Sequence, residues 1–228
     1  MDISTKKALI EYLSDYATDH KLQLMYAALA ERTRYVVPVL EDVYQAHNIS
    51  AAMRSAEGFG VQDVHVIEQN NRYREHIGVS MGASKWIDIH RYNAKQGNNV
   101  QACFSHLRAQ GYRIVATSPH ERSCALSKLP LEQKIALVFG TEETGISDEV
   151  RESADQLVHV PMYGFTESFN ISVSVALCLY DITTRLRAAD TAWQFNDEEK
   201  IDILLQWLRK AVRASKELEK LFFTSQTK

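Results

Sequence analysis

The chain has 228 residues, of which 45% are hydrophobic, and its formal net charge is -3 at pH 7. This length and composition suffice for one domain with a hydrophobic core and terminal extensions. No stretch approaches the roughly 18 consecutive apolar residues of a membrane helix, and the N-terminus lacks the pattern of a signal peptide. We therefore expect a cytoplasmic protein without membrane association. The negative net charge argues against a general nucleic-acid binder, since affinity for phosphates comes from lysine and arginine side chains.

Cysteines and histidines give no sign of a metal site. The three cysteines are widely spaced and lack the paired spacing of zinc ligands, so we predict that they are reduced and structural. They are Cys103, Cys124 and Cys178. His47, His65 and His159 are scattered among apolar residues or beside an asparagine. Histidines in such settings are usually structural, and we predict no metal and no catalytic histidine.

The first sixty residues contain helical and strand patterns. Residues 3–30 carry apolar positions on an irregular helical period that breaks near residues 18–20, which predicts two short helices. Residues 35–40 are β-branched and short, like a buried strand, although Pro38 favours a position at the sheet edge. Residues 48–60 have the pattern of a capped helix that ends at glycine.

Strand and helix patterns then alternate, which predicts a parallel sheet with helices on both faces. The predicted strands are residues 64–67, 112–117, 135–139 and 157–160, and the predicted helices are residues 100–110, 147–154 and 168 to about 188. Residues 197–223 have the pattern of one amphipathic helix with a basic outer side.

No internal repeat, low-complexity tract or long linker divides the chain. We predict an N-terminal helical extension over residues 1–30, a central α/β domain over residues 31–190, and a C-terminal amphipathic extension over residues 191–228. A second independent domain is not expected.

Two segments that follow predicted strands carry glycines and polar residues, as ligand-binding loops of parallel sheets do. In residues 137–146, a buried strand leads into Gly140, two carboxylates and Gly145. In residues 160–175, a strand leads into a loop with Gly164 and then into polar residues at a helix start. The chain has neither a dinucleotide-binding fingerprint nor a P-loop, so any cofactor must use other loops.

Each polar residue of interest has a simpler interpretation when it is considered alone. Asn48 and Ser168 are typical helix caps. Arg54 is typical of a surface ion pair, and Glu142 and Glu143 are typical of a solvated turn. These interpretations do not explain why all of these residues occur together in one order along the chain.

Three ordered motifs resemble those of the SpoU/TrmH family of SPOUT-class RNA methyltransferases. The first is an asparagine followed six residues later by an arginine, here Asn48 and Arg54. The second is a strand followed by Gly-x-Glu-x-x-Gly, here residues 139–145. The third is Ile/Val-Pro-Met-x-Gly-x-x-x-Ser-Leu-Asn-Val-Ser, here residues 160–172 with Phe169 in the usual leucine position. The resemblance covers about residues 31–187 and is highly specific.

The resemblance implies a SPOUT-type α/β fold, with a C-terminal trefoil knot whose loops hold the cofactor S-adenosylmethionine. The residues implied to bind this cofactor are Thr117, Gly140, Val160, Met162 and Phe169. The residues implied to act in catalysis are Arg54, Asn48, Glu142, Ser168 and Asn170. The resemblance implies that Arg54, the arginine of the first motif, acts as the base that helps remove the proton of the ribose 2′-hydroxyl. Because a guanidinium is normally protonated, Arg54 could instead orient a phosphate and stabilise a developing alkoxide.

The implied reaction is 2′-O-methylation of a ribose, so the implied partner is RNA, which alone carries the 2′-hydroxyl. A homodimer, formed in the family through the helix that contains residues 173–182, would double any basic surface. The basic residues expected to flank the site are Arg32, Arg34, Arg72, Arg74, Arg113, Arg122, Lys128 and those of the last helix. The short helical ends resemble those of family members that methylate the tRNA D-loop guanosine at position 18. The alternatives are an rRNA substrate and a non-catalytic RNA-binding protein on the same fold.

Overall fold

The structure is a computed structural model that describes residues 1–119 and 123–226. Its residues cluster into two compact units, which we call the terminal unit and the sheet unit. The terminal unit combines Met1–Arg32 with Gln194–Lys228, and the sheet unit is Thr33–Trp193. Residues of both predicted extensions therefore belong to one unit. The division into a central domain and two helical extensions at residues 30 and 190 stays a prediction. Arg122 lies outside the described residues.

The sheet unit is built on a seven-stranded sheet with the order β3-β2-β1-β6-β4-β7-β5. Its strands are β1 (Val36–Glu41), β2 (Asp63–Ile67), β3 (Asp88–Tyr92), β4 (Arg113–Thr117), β5 (Cys124–Ala125), β6 (Ile135–Phe139) and β7 (Gln156–His159). Every pairing is parallel, which confirms the predicted sheet type. β3 and β5 were not predicted, because β3 is only half-buried and lacks an apolar run, and β5 has two residues.

Pro38 lies in β1, which has β2 on one side and β6 on the other. The expectation that proline would place this strand at the sheet edge is therefore wrong. Pairing with β6 extends from Val36 to Leu40, whereas pairing with β2 begins at Val39. The missing N–H of Pro38 thus falls where the ladder with β2 has not yet begun, and an interior strand tolerates it.

Helices cover both faces of the sheet, as predicted. They are α3 (Ala46–Gly58), α4 (Ile77–Ser80), α5 (Asn99–Ala109), α6 (Asp148–Ser153) and α7 (Ile171–Ala188). The side chains of β1 alternate between two cores. Val36 and Leu40 pack into the core that contains residues of α3 and α7. Val37 and Val39 pack into the core that contains residues of α5 and α6.

Up to residue 226, the last one described, the terminal unit contains four helices. They are α1 (Ile3–Ser14), α2 (Asp19–Ala30), α8 (Asp197–Ala211) and α9 (Ser215–Gln226). The two predicted N-terminal helices are confirmed, and Thr18 caps the second by accepting a hydrogen bond from the Lys21 amide. The prediction of one helix over residues 197–223 is wrong. α8 ends at Ala211, and α9 begins only after Ala214, which takes a left-handed conformation with φ of 55°.

The predicted basic side of this last segment is partly neutralised, since Arg209 forms an ion pair with Glu219 across the break. Arg32 is buried, with its guanidinium 5.2 Å from the centroid of the Trp207 ring.

None of the helices within residues 1–119 and 123–226 is long and apolar enough to cross a membrane. The three cysteines are free, and burial raises the pKa of Cys103 and Cys178 to about 12.

Two stacked histidines near the sheet edge respond to pH in opposite directions. The His65 ring lies 4.6 Å from the His90 ring, and its Nδ1 is 3.0 Å from the Tyr92 hydroxyl. Burial lowers the pKa of His65 from 6.5 to about 3, so this histidine is neutral in the folded chain. A hydrogen bond with Asp63 raises the pKa of His90 above its ordinary value.

We predict that His65→Phe flattens the loss of folding stability in acid. The unfolded chain protonates this histidine below pH 6.5 and the folded chain does not, so His65 reduces stability between pH 6.5 and about 3. The measurement is the free energy of unfolding by urea across this range. His90→Phe is the matched control and should steepen the loss, because His90 stabilises the fold when it is protonated. Equal slopes in the two variants would contradict the assignment.

Candidate functional site

A cleft of about 330 Å³ opens at the carboxyl edge of the sheet. It is lined by the loops after β4, β6 and β7 and by the first turns of α7. Because all strands are parallel, their carboxyl ends meet at one edge, where α/β proteins bind ligands. The volume is in the range of small-molecule sites, which is roughly 300–1,000 Å³.

All five predicted cofactor-binding residues line this cleft. They are Thr117, Gly140, Val160, Met162 and Phe169. Thr117 ends β4 and donates a hydrogen bond from its hydroxyl to the Val138 carbonyl, 3.1 Å away. The apolar side chains come from the loop after β7 and form a wall suited to a flat aromatic group. Their part in cofactor binding stays a prediction.

The loop after β6 is held closed by its own backbone. The Thr141 amide donates to the Gly145 carbonyl at 2.9 Å, and the Gly145 amide donates back to Thr141 at 3.1 Å. A Cβ at position 140 would lie 2.1 Å from the backbone of Gly145 and 2.2 Å from the amide nitrogen of Ile146. Position 140 therefore requires glycine, since main-chain atoms occupy the space of a side chain.

Asn48 joins the three motifs through its side chain. It is 3% exposed and lies inside α3, two residues after the helix begins at Ala46. Its Nδ2 donates to a carboxylate oxygen of Glu142, and its Oδ1 accepts from Nδ2 of Asn170 at 3.2 Å. The interpretation of Asn48 as a helix cap is therefore wrong. Gln45, which was not predicted, also accepts from Asn48, at 3.2 Å.

The cap of α7 is Asn170 and not Ser168. Asn170 accepts hydrogen bonds from the amide and the hydroxyl of Ser172, at 2.9 and 2.6 Å. Ser168 lies two residues earlier, where it lines the cleft with an exposed side chain. The predicted polar residues of the third motif thus divide between the cleft wall and the first turn of the helix.

Of the five predicted catalytic residues, Glu142 and Ser168 line the cleft, while Asn48, Asn170 and Arg54 do not. Arg54 also lies apart from the hydrogen-bonded set of Asn48, Glu142 and Asn170. Arg54 lies six residues after Asn48, which places it about 120° around α3 from the buried asparagine. Its side chain is exposed and makes no hydrogen bond or ion pair with any residue within 1–119 and 123–226. The interpretation of Arg54 as a surface ion pair therefore has no support in the described part of the chain.

The charges of the cleft favour a cationic ligand. Its lining includes the carboxylates of Glu142, Glu143 and Glu167. Arg151, the arginine of the lining, is 2.5 Å from Asp148, which offsets its charge. S-adenosylmethionine carries a sulfonium cation and an aromatic adenine, so carboxylates beside an apolar wall suit it. His159 lines the cleft as well, with Nδ1 2.7 Å from the Ser123 hydroxyl, although no role was predicted for it.

The basic residues predicted to flank the site are spread over both edges of the sheet. Arg34 precedes β1 and pairs with Asp63 and Asp88, at 2.5 and 3.1 Å, on the edge opposite the cleft. Arg113 begins β4 on the same far edge and donates to the Pro130 carbonyl. The expectation that these two arginines flank the cleft is wrong, because a residue before a parallel strand lies at the other end of the sheet.

A parallel sheet with a cleft at its carboxyl edge is the architecture of an α/β protein that binds a ligand there. The model of the family described as SpoU rRNA Methylase matches residues 35–180. The tRNA (guanosine(18)-2'-O)-methyltransferase of Borreliella burgdorferi is 40% identical over 212 residues, which are 93% of this chain and 95% of that protein. The Escherichia coli protein of the same name is 31% identical over 153 residues, which are 67% of this chain and 65% of that protein.

A solved structure, that of the TrmH/SpoU tRNA modifying enzyme of Aquifex aeolicus, superposes with a TM-score of 0.74 at 26% identity. The superposition covers 86% of this chain and 98% of that one. The chain therefore belongs to the SpoU methylase family.

We predict that Gly140→Ala abolishes binding of S-adenosylmethionine, because the added methyl group forces the loop after β6 to open. The measurement is the shift of melting temperature at saturating S-adenosylmethionine, which reports binding to the folded state. Gly164→Ala is the matched control in the same cleft region, since a Cβ there meets no atom within 4 Å. Unchanged shifts in both variants would contradict the role given to the loop.

Proposed function

We propose that this protein is an S-adenosylmethionine-dependent methyltransferase that modifies the ribose 2′-hydroxyl of the tRNA D-loop guanosine at position 18. The observation that carries the proposal is the hydrogen-bonded set Glu142, Asn48 and Asn170 beside the cleft, because it unites one residue from each motif. The Borreliella relative supports the tRNA substrate, since the two chains align over nearly their full lengths.

When bound, S-adenosylmethionine supplies an electrophilic methyl group, so the main task of the protein is to position the ribose. Asn48 holds Glu142 in place from a buried position in α3. Asn170 stands at the N-terminus of α7, an 18-residue helix whose dipole favours negative charge there. The helix N-terminus at Asn170 suits a 2′-oxygen that becomes negatively charged as its proton leaves. The Glu142 carboxylate suits the ribose hydroxyl before that step, as an acceptor of its hydrogen bond.

We also propose a homodimer, with α7 at the interface. Val173, Leu177 and Tyr180 are exposed at spacings of four and three residues, so they share one face of the helix. Phe169 extends this apolar stripe to the cleft. A self-complementary interface between two copies would cover the stripe. In such a dimer, the exposed Arg54 of one protomer acts at the cleft of its partner.

Mixed dimers test this arrangement. Coexpression of an Arg54→Ala chain with a Gly140→Ala chain, each with its own tag, gives heterodimers that can be purified through both tags. If Arg54 acts across the interface, one of the two sites in the heterodimer has both an intact arginine and an intact cleft, and about half of the activity returns. If Arg54 acts within its own protomer, both sites are defective and no activity returns. Each homodimer of the variants is the baseline.

We predict that Arg54→Ala lowers the rate of methyl transfer on the order of 100-fold or more, the usual effect of removing a group that stabilises developing charge. Binding of S-adenosylmethionine stays intact, because Arg54 does not line the cleft. The measurements are single-turnover transfer to tRNA and the melting shift with S-adenosylmethionine. Arg54→Lys keeps the positive charge but loses the planar guanidinium. Partial activity of this variant would indicate that Arg54 orients a phosphate through its charge, and loss of activity would indicate a role that needs the guanidinium. Loss of folding in Arg54→Ala would point to a structural arginine instead.

We predict that Asn48→Asp disrupts the site more than Asn48→Ala. The aspartate replaces the donor that faces Glu142 with a second carboxylate, so two like charges meet at a short distance. The expected cost in folding stability is on the order of 1 kcal/mol, measured by urea unfolding. Adding Glu142→Gln to Asn48→Asp restores a donor and an acceptor, so stability should return while methyl transfer does not. Recovery of both together would contradict a catalytic part for Glu142.

The proposed function itself is tested by transfer of labelled methyl from S-adenosylmethionine to unmodified tRNA and rRNA transcripts. A 2′-O-methylated linkage resists alkaline cleavage, which maps the position. Label at the D-loop guanosine supports the proposal, and a tRNA with 2′-deoxyguanosine at that position should take none. Label in rRNA alone would support ribose 2′-O-methylation but contradict the proposed tRNA substrate. No label in either RNA, with S-adenosylmethionine bound, supports a non-catalytic RNA-binding protein.

A further inference from the structure

A second surface lies at the carboxyl edge of the sheet, where β1 and β2 end. Asp42 follows β1 in a left-handed conformation with φ of 50°. Its carboxylate accepts hydrogen bonds from the backbone amides of Gln69, Asn70 and Asn71, at 2.9, 2.8 and 2.7 Å. These bonds fix the start of the loop after β2 against the loop after β1. The residues that follow in each loop are therefore held close to one another.

We call this surface the shelf, and its residues are Tyr44, His47, Arg72, Arg74, Ile77 and Met81. Three of its large apolar side chains face solvent: Tyr44 is 75% exposed, Ile77 81% and Met81 70%. The shelf also rests on α3, because the His76 amide donates to the Ser50 hydroxyl at 2.7 Å and the His47 and His76 rings are 6.3 Å apart. Apolar side chains exposed this fully, and grouped where the loops after β1 and β2 are joined by hydrogen bonds, are typical of a binding surface.

The charge of the shelf is positive. Arg72 and Arg74 are exposed and form no ion pair or hydrogen bond with the residues that the structure describes. The carboxylates closest to them in the chain are engaged elsewhere. Glu68 binds the Arg91 guanidinium at 2.6 and 3.0 Å and accepts from the Tyr73 amide, and Glu75 accepts from the Ser84 hydroxyl at 2.5 Å. The charge of Arg72 also acts on Glu68, but neither arginine is hydrogen-bonded to a carboxylate that the structure describes. Both guanidinium groups are exposed and can contact an anionic partner.

The shelf is continuous with the candidate site. His47 precedes Asn48 in α3, and Ser50, which holds the shelf, lies one turn before Arg54. β1, whose loop carries Tyr44, is hydrogen-bonded to β6, whose loop carries Glu142. A polymer with one unit held at Glu142, which lines the cleft, would therefore continue across Tyr44 and the two arginines.

We propose that the shelf binds unpaired nucleotides that flank the methylated ribose, with a base stacked on Tyr44 and phosphates contacted by Arg72 and Arg74. This proposal rests on the proposed function. Exposed apolar and aromatic side chains interleaved with cations fit single-stranded RNA, because unpaired bases offer their faces for stacking. A paired helix hides those faces, so the shelf favours the loop of an RNA over its stems.

The test is equilibrium binding of an unmodified tRNA transcript across a salt series, with filter-retained RNA as the readout. Arg72→Gln and Arg74→Gln should each reduce the slope of log K against log salt by about 0.7, the value for one phosphate contact to a single strand. Tyr44→Ala should weaken binding at least about fivefold, while Tyr44→Phe binds like the unchanged chain, because stacking needs only the ring. Lys134→Gln is the matched charge control, since Lys134 precedes β6 at the opposite sheet edge and should leave the slope unchanged.

Unchanged slopes and affinities in the three shelf variants, with normal tRNA binding by the unchanged chain, would overturn the shelf proposal and leave the proposed function standing. Absence of tRNA binding and methyl transfer by the unchanged chain would overturn both. Ile77→Glu adds a further arm, measured by sedimentation. A dimer that becomes monomeric in this variant would show that a second copy of the chain covers the shelf, and the RNA proposal would be wrong. An unchanged melting shift with S-adenosylmethionine verifies that each variant is folded.

Discussion

The parallel pairing of β1 with β6 determines where the functional side chains of the sheet unit can lie. Val36 pairs with Ile135 and Leu40 with Phe139, so the two strands end at the same level and their loops leave side by side. The helix after β1 thereby places Asn48 beside Glu142 of the loop after β6. A shift of this register by one residue would turn every side chain of β1 to the other core and separate the two groups.

Much of the sheet could be predicted from the sequence, because its buried strands are runs of β-branched and apolar residues. The strands at its two ends could not, since β3 is half-buried and β5 is too short to show a pattern. The break after Ala211 was missed for a related reason. The apolar period continues across it, and Ala214 adopts a left-handed conformation that propensity assigns to glycine or asparagine.

The candidate site, like the sheet, could be predicted only in part from the sequence. Motif spacing brought the residues of the cleft together correctly, because loops after neighbouring parallel strands must meet at one edge. Spacing could not show that Asn48 is buried inside α3, because that depends on where the helix begins. The six-residue interval does place Arg54 on another face of the helix, but it does not show what that face meets. Nor could spacing show that Arg34 and Arg113 lie at the far edge of the sheet, where Arg34 pairs with Asp63 and Arg113 donates to the Pro130 carbonyl. Charge along a chain does not specify position in space.

The close contact at Gly140 has a consequence for how this cleft can change over time. Steric conflicts between side chains can be relieved by a second substitution nearby, which is how packed cores drift in sequence. Here the opposing atoms belong to the main chain of Gly145 and Ile146, so no exchange of side chains can make room. Position 140 in the loop after β6 must therefore remain glycine as the sequence of the cleft diverges. Changes in ligand preference must come from substitutions in the walls of the cleft around this loop.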